Sequence, residues 1–235
     1  MKKTVLLQIY LTVLSVTVCP GQSSLTYLRF DKQEGEEKFH VSIDAGLNIS
    51  TLPGLARHHA LPGINIGIGA FIRLSEKWSL TPELKTISTR GASDVFSITS
   101  DVTLGNPRFD IRTNYVDLPI LFQFAVSERI SIAAGPQLSF LTSAYQSATG
   151  NSLTTGKSVT VISDIKSLMH KESFMAPVQV SYALFSRGRK CAYLKARYNI
   201  GIMEAFTATS IATSTNSTFQ FIVGFPVIHR RSLPK

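Results

Sequence analysis

Two alternations run through this chain, and together they leave few folds open. Within short segments, apolar and polar residues take turns one by one. Phe39, Val41, Ile43, Ala45 and Leu47 are separated by His40, Ser42, Asp44 and Gly46. Between segments, the connections themselves alternate in length, short then long. A period of two marks a strand with one oily face, because successive side chains point to opposite sides of the pleat. Connections of two lengths give a sheet two unlike ends.

Eight such segments follow one another. The first starts at Phe39. The second, Gly63 to Leu74, sets Ile64, Ile66, Ile68, Ala70, Ile72 and Leu74 against Gly63, Asn65, Gly67, Gly69, Phe71 and Arg73. The third sets Trp78, Leu80, Pro82 and Leu84 against Ser79, Thr81, Glu83 and Lys85. Pro82 cannot donate to a ladder and is expected to mark a bulge. Further segments lie at Tyr115–Phe124, Ile130–Phe140, Phe174–Leu184, Tyr193–Ile202 and Thr218–Phe225. Connections after even segments are short: Ser75–Lys77, Ser127–Arg129 and Arg187–Lys190. Those after odd segments are long: Ser50–Leu61, Thr89–Phe109, Thr142–Glu172 and Glu204–Ser217. Inside Thr142–Glu172, either Val159–Ile162 extends a hairpin or Ile165–Met169 forms a helical turn.

Each segment is near the ~9–11 residues that cross a bilayer at a tilt. The polar faces are rich in Gly, Ser, Asn and Gln. They also hold charges of both signs: Asp44, Arg73, Glu83, Lys85, Asp117, Lys195 and Arg197. A barrel of ~8 strands encloses little more than side chains, so these residues are expected to pair as an interior charge network. Aromatic residues near segment ends, including Trp78, Phe124, Phe140, Phe174, Tyr182 and Phe225, suit the bilayer interfaces. The competing fold is a soluble β protein with one buried face. Only a closed sheet satisfies every backbone group in lipid. The predicted fold is therefore all-β: an eight-stranded antiparallel up-and-down transmembrane β-barrel with short periplasmic turns and long extracellular loops.

Residues 1–21 read as a signal peptide, with Lys2 and Lys3 before an apolar run from Val5 to Val18, and cleavage expected before Gln22. A lipid anchor at Cys19 is the rival, but Thr17 and Val18 are poor residues before a lipidated cysteine. Residues 22–38 form a polar, acidic periplasmic leader, residues 39–227 the barrel domain, and residues 228–235 a basic tail. With the signal gone, Cys191 has no partner for an internal disulfide. The formal charge of +9 comes from 24 Lys+Arg and 15 Asp+Glu spread without a dense stripe. That spread, together with an export signal, argues against nucleic acid.

No motif outweighs its simpler reading. Gly150 and Gly156-Lys157-Ser158 approach a phosphate loop, but five residues rather than four lie between the glycines. His58 and His59, even with His170, lack the spacing of a metal site. Glu83, Lys85, Asp117, Lys195 and Arg197 read as a structural ion network before an acid–base site, since no nucleophile with a nearby base is visible. Asn48-Ile-Ser50 and Asn216-Ser-Thr218 match a glycosylation pattern, taken as chance in a bacterial protein. No catalytic residue, cofactor or metal is expected.

Several stretches read together as one pattern: Gly46-Leu-Asn-Ile-Ser50, Leu80-Thr-Pro-Glu-Leu84 with Arg90-Gly91, Tyr115-Val-Asp-Leu-Pro-Ile-Leu121, Gly135-Pro-Gln-Leu138 and Arg197-Tyr-Asn-Ile-Gly201. In order and spacing they resemble the PorT-like family of outer-membrane β-barrel proteins of the Bacteroidetes group, from about Phe39 to Val227. The resemblance implies an eight-stranded barrel in the outer membrane and, for the family's namesake, a part in protein secretion. The sixth segment departs from the pattern, reading Phe174-Met-Ala-Pro-Val-Gln-Val180 where Asp and Gly are usual. The chain also continues past Phe225.

The function expected is a non-enzymatic, monomeric barrel with a structural or partner-binding role in the cell envelope. Its partners would be outer-membrane lipid and other envelope or secretion proteins. The alternatives are an accessory part of a secretion machinery and a barrel enzyme acting on lipid or peptide.

Overall fold

The computed structural model describes residues 39–55, 59–98, 104–186, 189–207 and 214–227. The expected signal peptide and leader, His58, Arg187-Gly188 and the basic tail lie outside the described residues. Among the described residues there are ten strands: β1 (Phe39–Thr51), β2 (His59–Arg73), β3 (Trp78–Val95), β4 (Leu104–Ala125), β5 (Ile130–Ala134), β6 (Gln137–Ser152), β7 (Ser158–Asp164), β8 (Glu172–Ser186), β9 (Arg189–Gly201) and β10 (Ser217–Val227). A 3-10 turn spans Lys166–Leu168. No described helix is long and apolar enough to cross a membrane.

Every strand pairing is antiparallel, and the sheet closes on itself. β1 pairs with β2 on one side and β10 on the other, and β3 pairs with β4. Ten strands rather than the expected eight have two causes. The predicted fifth strand is broken at Gly135-Pro136 into β5 and β6, and both pieces run between β4 and β8. There the Pro136 carbonyl, not an N–H, meets Ile120 N at 2.9 Å. The second addition is β7, which among the described residues pairs only with β6. Of the two readings of Thr142–Glu172, both hold: Val159–Ile162 lies in the hairpin strand, and the 3-10 turn follows it.

The alternation is turned inside out relative to a soluble protein. Along β1, Asp44 is 1% exposed whereas Ile43 is 52% exposed. Ser42, Asn48 and Ser50 are likewise buried, and Leu47 and Ile49 point out. The outer wall is continuous: Ile64, Ile66, Ile68, Ile120, Phe122, Ile132, Val178, Val180, Ile200 and Phe221 are all exposed.

Two expectations for β3 and β4 are corrected. Thr89–Phe109 is not a connection, because β3 continues to Val95 and β4 begins at Leu104. The bulge expected at Pro82 is elsewhere, since Pro82 keeps register with Ile120. It falls at Thr86. Lys85 pairs with Gly67 and Ile87 with Ile66, so β3 carries one extra residue. An extra residue reverses which parity faces inward. Beyond it Ser88, Arg90 and Ala92 are buried.

The two ends are closed differently. At one end the β2–β3 and β4–β5 turns repeat a device: Ser75-Glu-Lys and Ser127-Glu-Arg. In each, the serine hydroxyl accepts from the N–H three residues on, at 3.1 Å from Trp78 and 3.0 Å from Ile130. At the other end an apolar cluster seals the lumen, with Leu52, Val95, Ile111, Leu141, Ile165, Met169 and Phe206 buried together. The 3-10 turn delivers Ile165 and Met169 into it. His170 N donates to Ala205 O at 3.0 Å, and Thr207 N to Leu168 O at 3.0 Å, tying two long connections across the mouth.

Candidate functional site

Strand alternation points one residue in two into the lumen, and the ring brings distant segments face to face there. Six of the seven predicted residues gather in it, along with one the sequence reading did not assign. Lys195 Nζ (β9) donates to Asp44 Oδ2 (β1) at 2.6 Å and lies 3.6 Å from Glu83 Oε1. Arg197 Nη2 donates to Glu83 Oε1 (β3) at 2.7 Å, and its Nε to Gln179 Oε1 (β8) at 2.8 Å. Lys85 Nζ donates across the lumen to Gln220 Oε1 (β10) at 2.7 Å and is 4.0 Å from Glu83 Oε2. Glu83 is thus the hub, one carboxylate facing three cations.

A second cluster sits nearer the apolar cap. Arg90 Nη2 donates to Asp117 Oδ2 at 2.5 Å, with both side chains fully buried. Arg90 also donates through Nη1 to Met175 Sδ at 3.1 Å, and its guanidinium lies 4.7 Å from the Tyr115 ring centre. That position over an aromatic face adds cation–π attraction. Asn65 Nδ2 donates to Asn48 Oδ1 at 2.5 Å, and Asn216 Nδ2 to the Tyr115 hydroxyl at 3.2 Å.

Arg73 is placed elsewhere. It is half-buried at the turn end, where its Nε donates to Ser75 O at 3.1 Å and Nη2 to Glu76 O at 3.3 Å. Arg90 takes a place in the lumen that alternation alone denies it. Counted from Glu83 and Lys85, inward positions fall at odd numbers, and the Thr86 bulge moves Arg90 to the inside. A basic residue facing Asp117 was the available signal, but only the register reveals it.

The long charged side chains need room, and inward glycines supply it. A Cβ on Gly224 would lie 2.5 Å from Asp44 Oδ1 and 3.2 Å from Lys195 Cε. Gly224→Val should therefore overpack the Asp44–Lys195 pair and cost about 1–3 kcal/mol, read as a lower urea midpoint for the refolded barrel. A midpoint equal to the parent's would show that the pair is not packed as described.

The other sequence candidates stay apart. Gly156 has φ +67° in the β6–β7 hairpin turn, and antiparallel β7 rather than a helix follows it, so no phosphate cradle forms. His59 is exposed on β2, 3.5 Å from Asp94. Among the described residues no group of three or more His, Cys, Asp or Glu side chains is placed to hold a metal ion.

A closed antiparallel sheet with an apolar outer wall and a charged, filled interior is the organisation of a membrane-spanning β-barrel. A family described as outer membrane protein beta-barrel domain matches residues 24–207. The chain belongs to this family, and its place is the bacterial outer membrane. A search among curated proteins finds no match. Similar solved structures include Ail, the attachment invasion locus protein of Yersinia pestis, at 11% identity and TM-score 0.44, covering 82% of this chain and 100% of that one. Neisserial surface protein A is similar at 15% identity and TM-score 0.41, covering 82% and 99%. OprG of Pseudomonas aeruginosa is similar at 11% identity and TM-score 0.41, covering 82% and 98%.

Proposed function

We propose that this protein is a non-conducting, non-enzymatic barrel of eight staves, β5 and β6 sharing one. It acts in the envelope through its outer surfaces, with the short turns in the periplasm and the long connections outside. One observation carries the reading: the lumen is occupied by paired side chains and stopped at the loop end by an apolar cluster. Against Glu83 there remains a partly open cavity of about 30 Å³, room for a few waters at most. Glu83 and Asp117 are each bound by a guanidinium, which suits structural partners better than a general acid and base.

The pure protein in planar bilayers should show no stepwise conductance for ions or large solutes. Stable open-channel currents would overturn the sealed-lumen reading. A heat-modifiable gel mobility should accompany the folded state, as expected of a closed barrel.

Within the wider family, kinship to PorT-like barrels is supported by where the resembling motifs fall. Glu83, Arg90, Tyr115, Asp117, Gln137 and Arg197 all belong to them, and all are buried in the lumen. On that kinship rests a second reading, an accessory role in protein secretion. Co-purification of envelope secretion subunits should support it, and unchanged secretion in a deletion strain should count against it.

A further inference from the structure

The lipid-facing wall is not evenly filled. Register aligns Ala45, Val223, Leu194 and Tyr182 in one row across β1, β10, β9 and β8, and Leu47, Phe221, Ala196 and Val180 in the next. Small residues at Ala45 and Ala196 stand among large ones, and between the rows lies an open hollow of about 530 Å³. A second hollow of about 430 Å³ adjoins it, sharing Ala45, Leu47 and Val223 and bounded by Ile64, Ile66 and Phe225. The lining side chains that point outward are apolar apart from the Tyr182 hydroxyl.

At the turn-end corner of the first hollow stands a cation. Arg129, in the β4–β5 turn, donates through Nη1 to the Tyr182 hydroxyl at 3.3 Å. Its backbone carbonyl accepts from Ala183 N at 2.8 Å, which fixes the turn beside β8. Guanidinium groups match phosphate oxygens in shape and charge, and tyrosine belongs at the level of lipid headgroups. Two adjoining apolar hollows, with one cation at the edge of the first, make a set of contacts for two chains and a phosphate.

The geometry points to a binding site for one anionic glycerophospholipid, with its phosphate at Arg129 and Tyr182 and its acyl chains in the two hollows. The inference rests on the proposed membrane orientation, in which the turn end faces the periplasm and the headgroup belongs to the inner leaflet. The lipid chemistry follows from position. These hollows lie in the apolar belt of an outer-membrane protein, where acyl chains are the available occupant, and the anionic headgroup follows from charge complementarity.

The test uses the full-length protein refolded in detergent with limiting phosphatidylglycerol or phosphatidylcholine, followed by native mass spectrometry. The parent should retain one phosphatidylglycerol in preference to phosphatidylcholine. Arg129→Gln should reduce that preference about fivefold, the contribution of one basic residue near an anionic surface. Ala45→Phe with Ala196→Phe should abolish retention of either lipid. Heat-modifiable mobility of each variant shows separately that the barrel is folded. Loss of that mobility in the parent would fail the barrel itself rather than the lipid site. Equal retention of both lipids by folded parent and Arg129→Gln would overturn the headgroup assignment. Retention unchanged by the two phenylalanines would overturn the groove. A dimer in place of a lipid adduct, dispersed by the same phenylalanines, would assign the surface to a second copy of the chain and overturn the proposal.

Discussion

Glu83→Gln should destabilise the folded barrel by about 3–5 kcal/mol, the usual cost of removing one partner from a buried ion pair. The amide keeps the size of the side chain, removes its charge and turns one accepting oxygen into a donor. Arg197, at 2.7 Å, and Lys195, at 3.6 Å, then lose a counter-ion, and Lys85 loses the nearest carboxylate. Asp44 remains, already bound to Lys195 at 2.6 Å. In the described lumen four cations, Lys85, Arg90, Lys195 and Arg197, face three carboxylates, Asp44, Glu83 and Asp117. Glu83→Gln worsens an existing surplus. Lys85→Met relieves it, and should change stability by less than about 1 kcal/mol or raise it. Adding Lys85→Met to Glu83→Gln should restore part of the loss. Urea unfolding in lipid, followed by gel mobility and by the fluorescence of Trp78, measures all three. Equal midpoints for Glu83→Gln and the parent would refute the hub.

The second large effect belongs to the Arg90–Asp117 pair. Asp117→Asn leaves a fully buried guanidinium with an amide in place of its carboxylate, and about 3 kcal/mol should be lost. Arg90 keeps its contacts with Met175 and the Tyr115 ring, so the side chain should stay in place while its charge goes unanswered. Replacing both partners, Arg90→Met with Asp117→Leu, removes both desolvation costs together and should come much nearer to the parent. A double variant no more stable than Asp117→Asn would mean that the pair serves fit rather than charge balance. If Asp117 were instead catalytic, the folded double variant would lose an activity that unfolding measurements do not report.

Much of this was legible in the residues because a barrel in lipid uses the simplest code a strand has. Asp44, Glu83, Lys85, Asp117, Lys195 and Arg197 lie on polar faces at every second position, and that alone directs them inward. Composition gave no such guide. What alternation misses is any step that changes parity. Thr86 inserts one residue into β3, and from there Arg90 faces in. A rule of period two, started from Lys85, points it out. The same limit hid the length of β3 and β4. Residues beyond the bulge no longer follow the expected face, and Thr89–Phe109 reads as irregular. Gly135-Pro136 splits one stave into two strands by denying the ladder an N–H, a local defect in a continuous oily run. Arg73 illustrates the opposite error. It keeps the correct parity, but it sits so near the turn that backbone carbonyls of Ser75 and Glu76 reach it first. Pairings across the lumen were beyond reading, because they depend on the diameter and register of the closed ring.

The Asp44–Lys195 contact has a consequence for the order of events in assembly. Its partners are 151 residues apart in sequence, on β1 and β9, and β10 runs between them with Gly224 beneath the pair. A nascent or truncated chain that lacks β10 holds both charges but cannot bring them together, since the last strand sets their spacing. Loop-closure entropy must be met before contacts of such separation give any return. The slow step in forming this barrel should therefore be the docking of its final strand, and the ion pair acts as a latch that registers completion. Its formation would separate finished barrels from open sheets still exposing unpaired edges to the lipid.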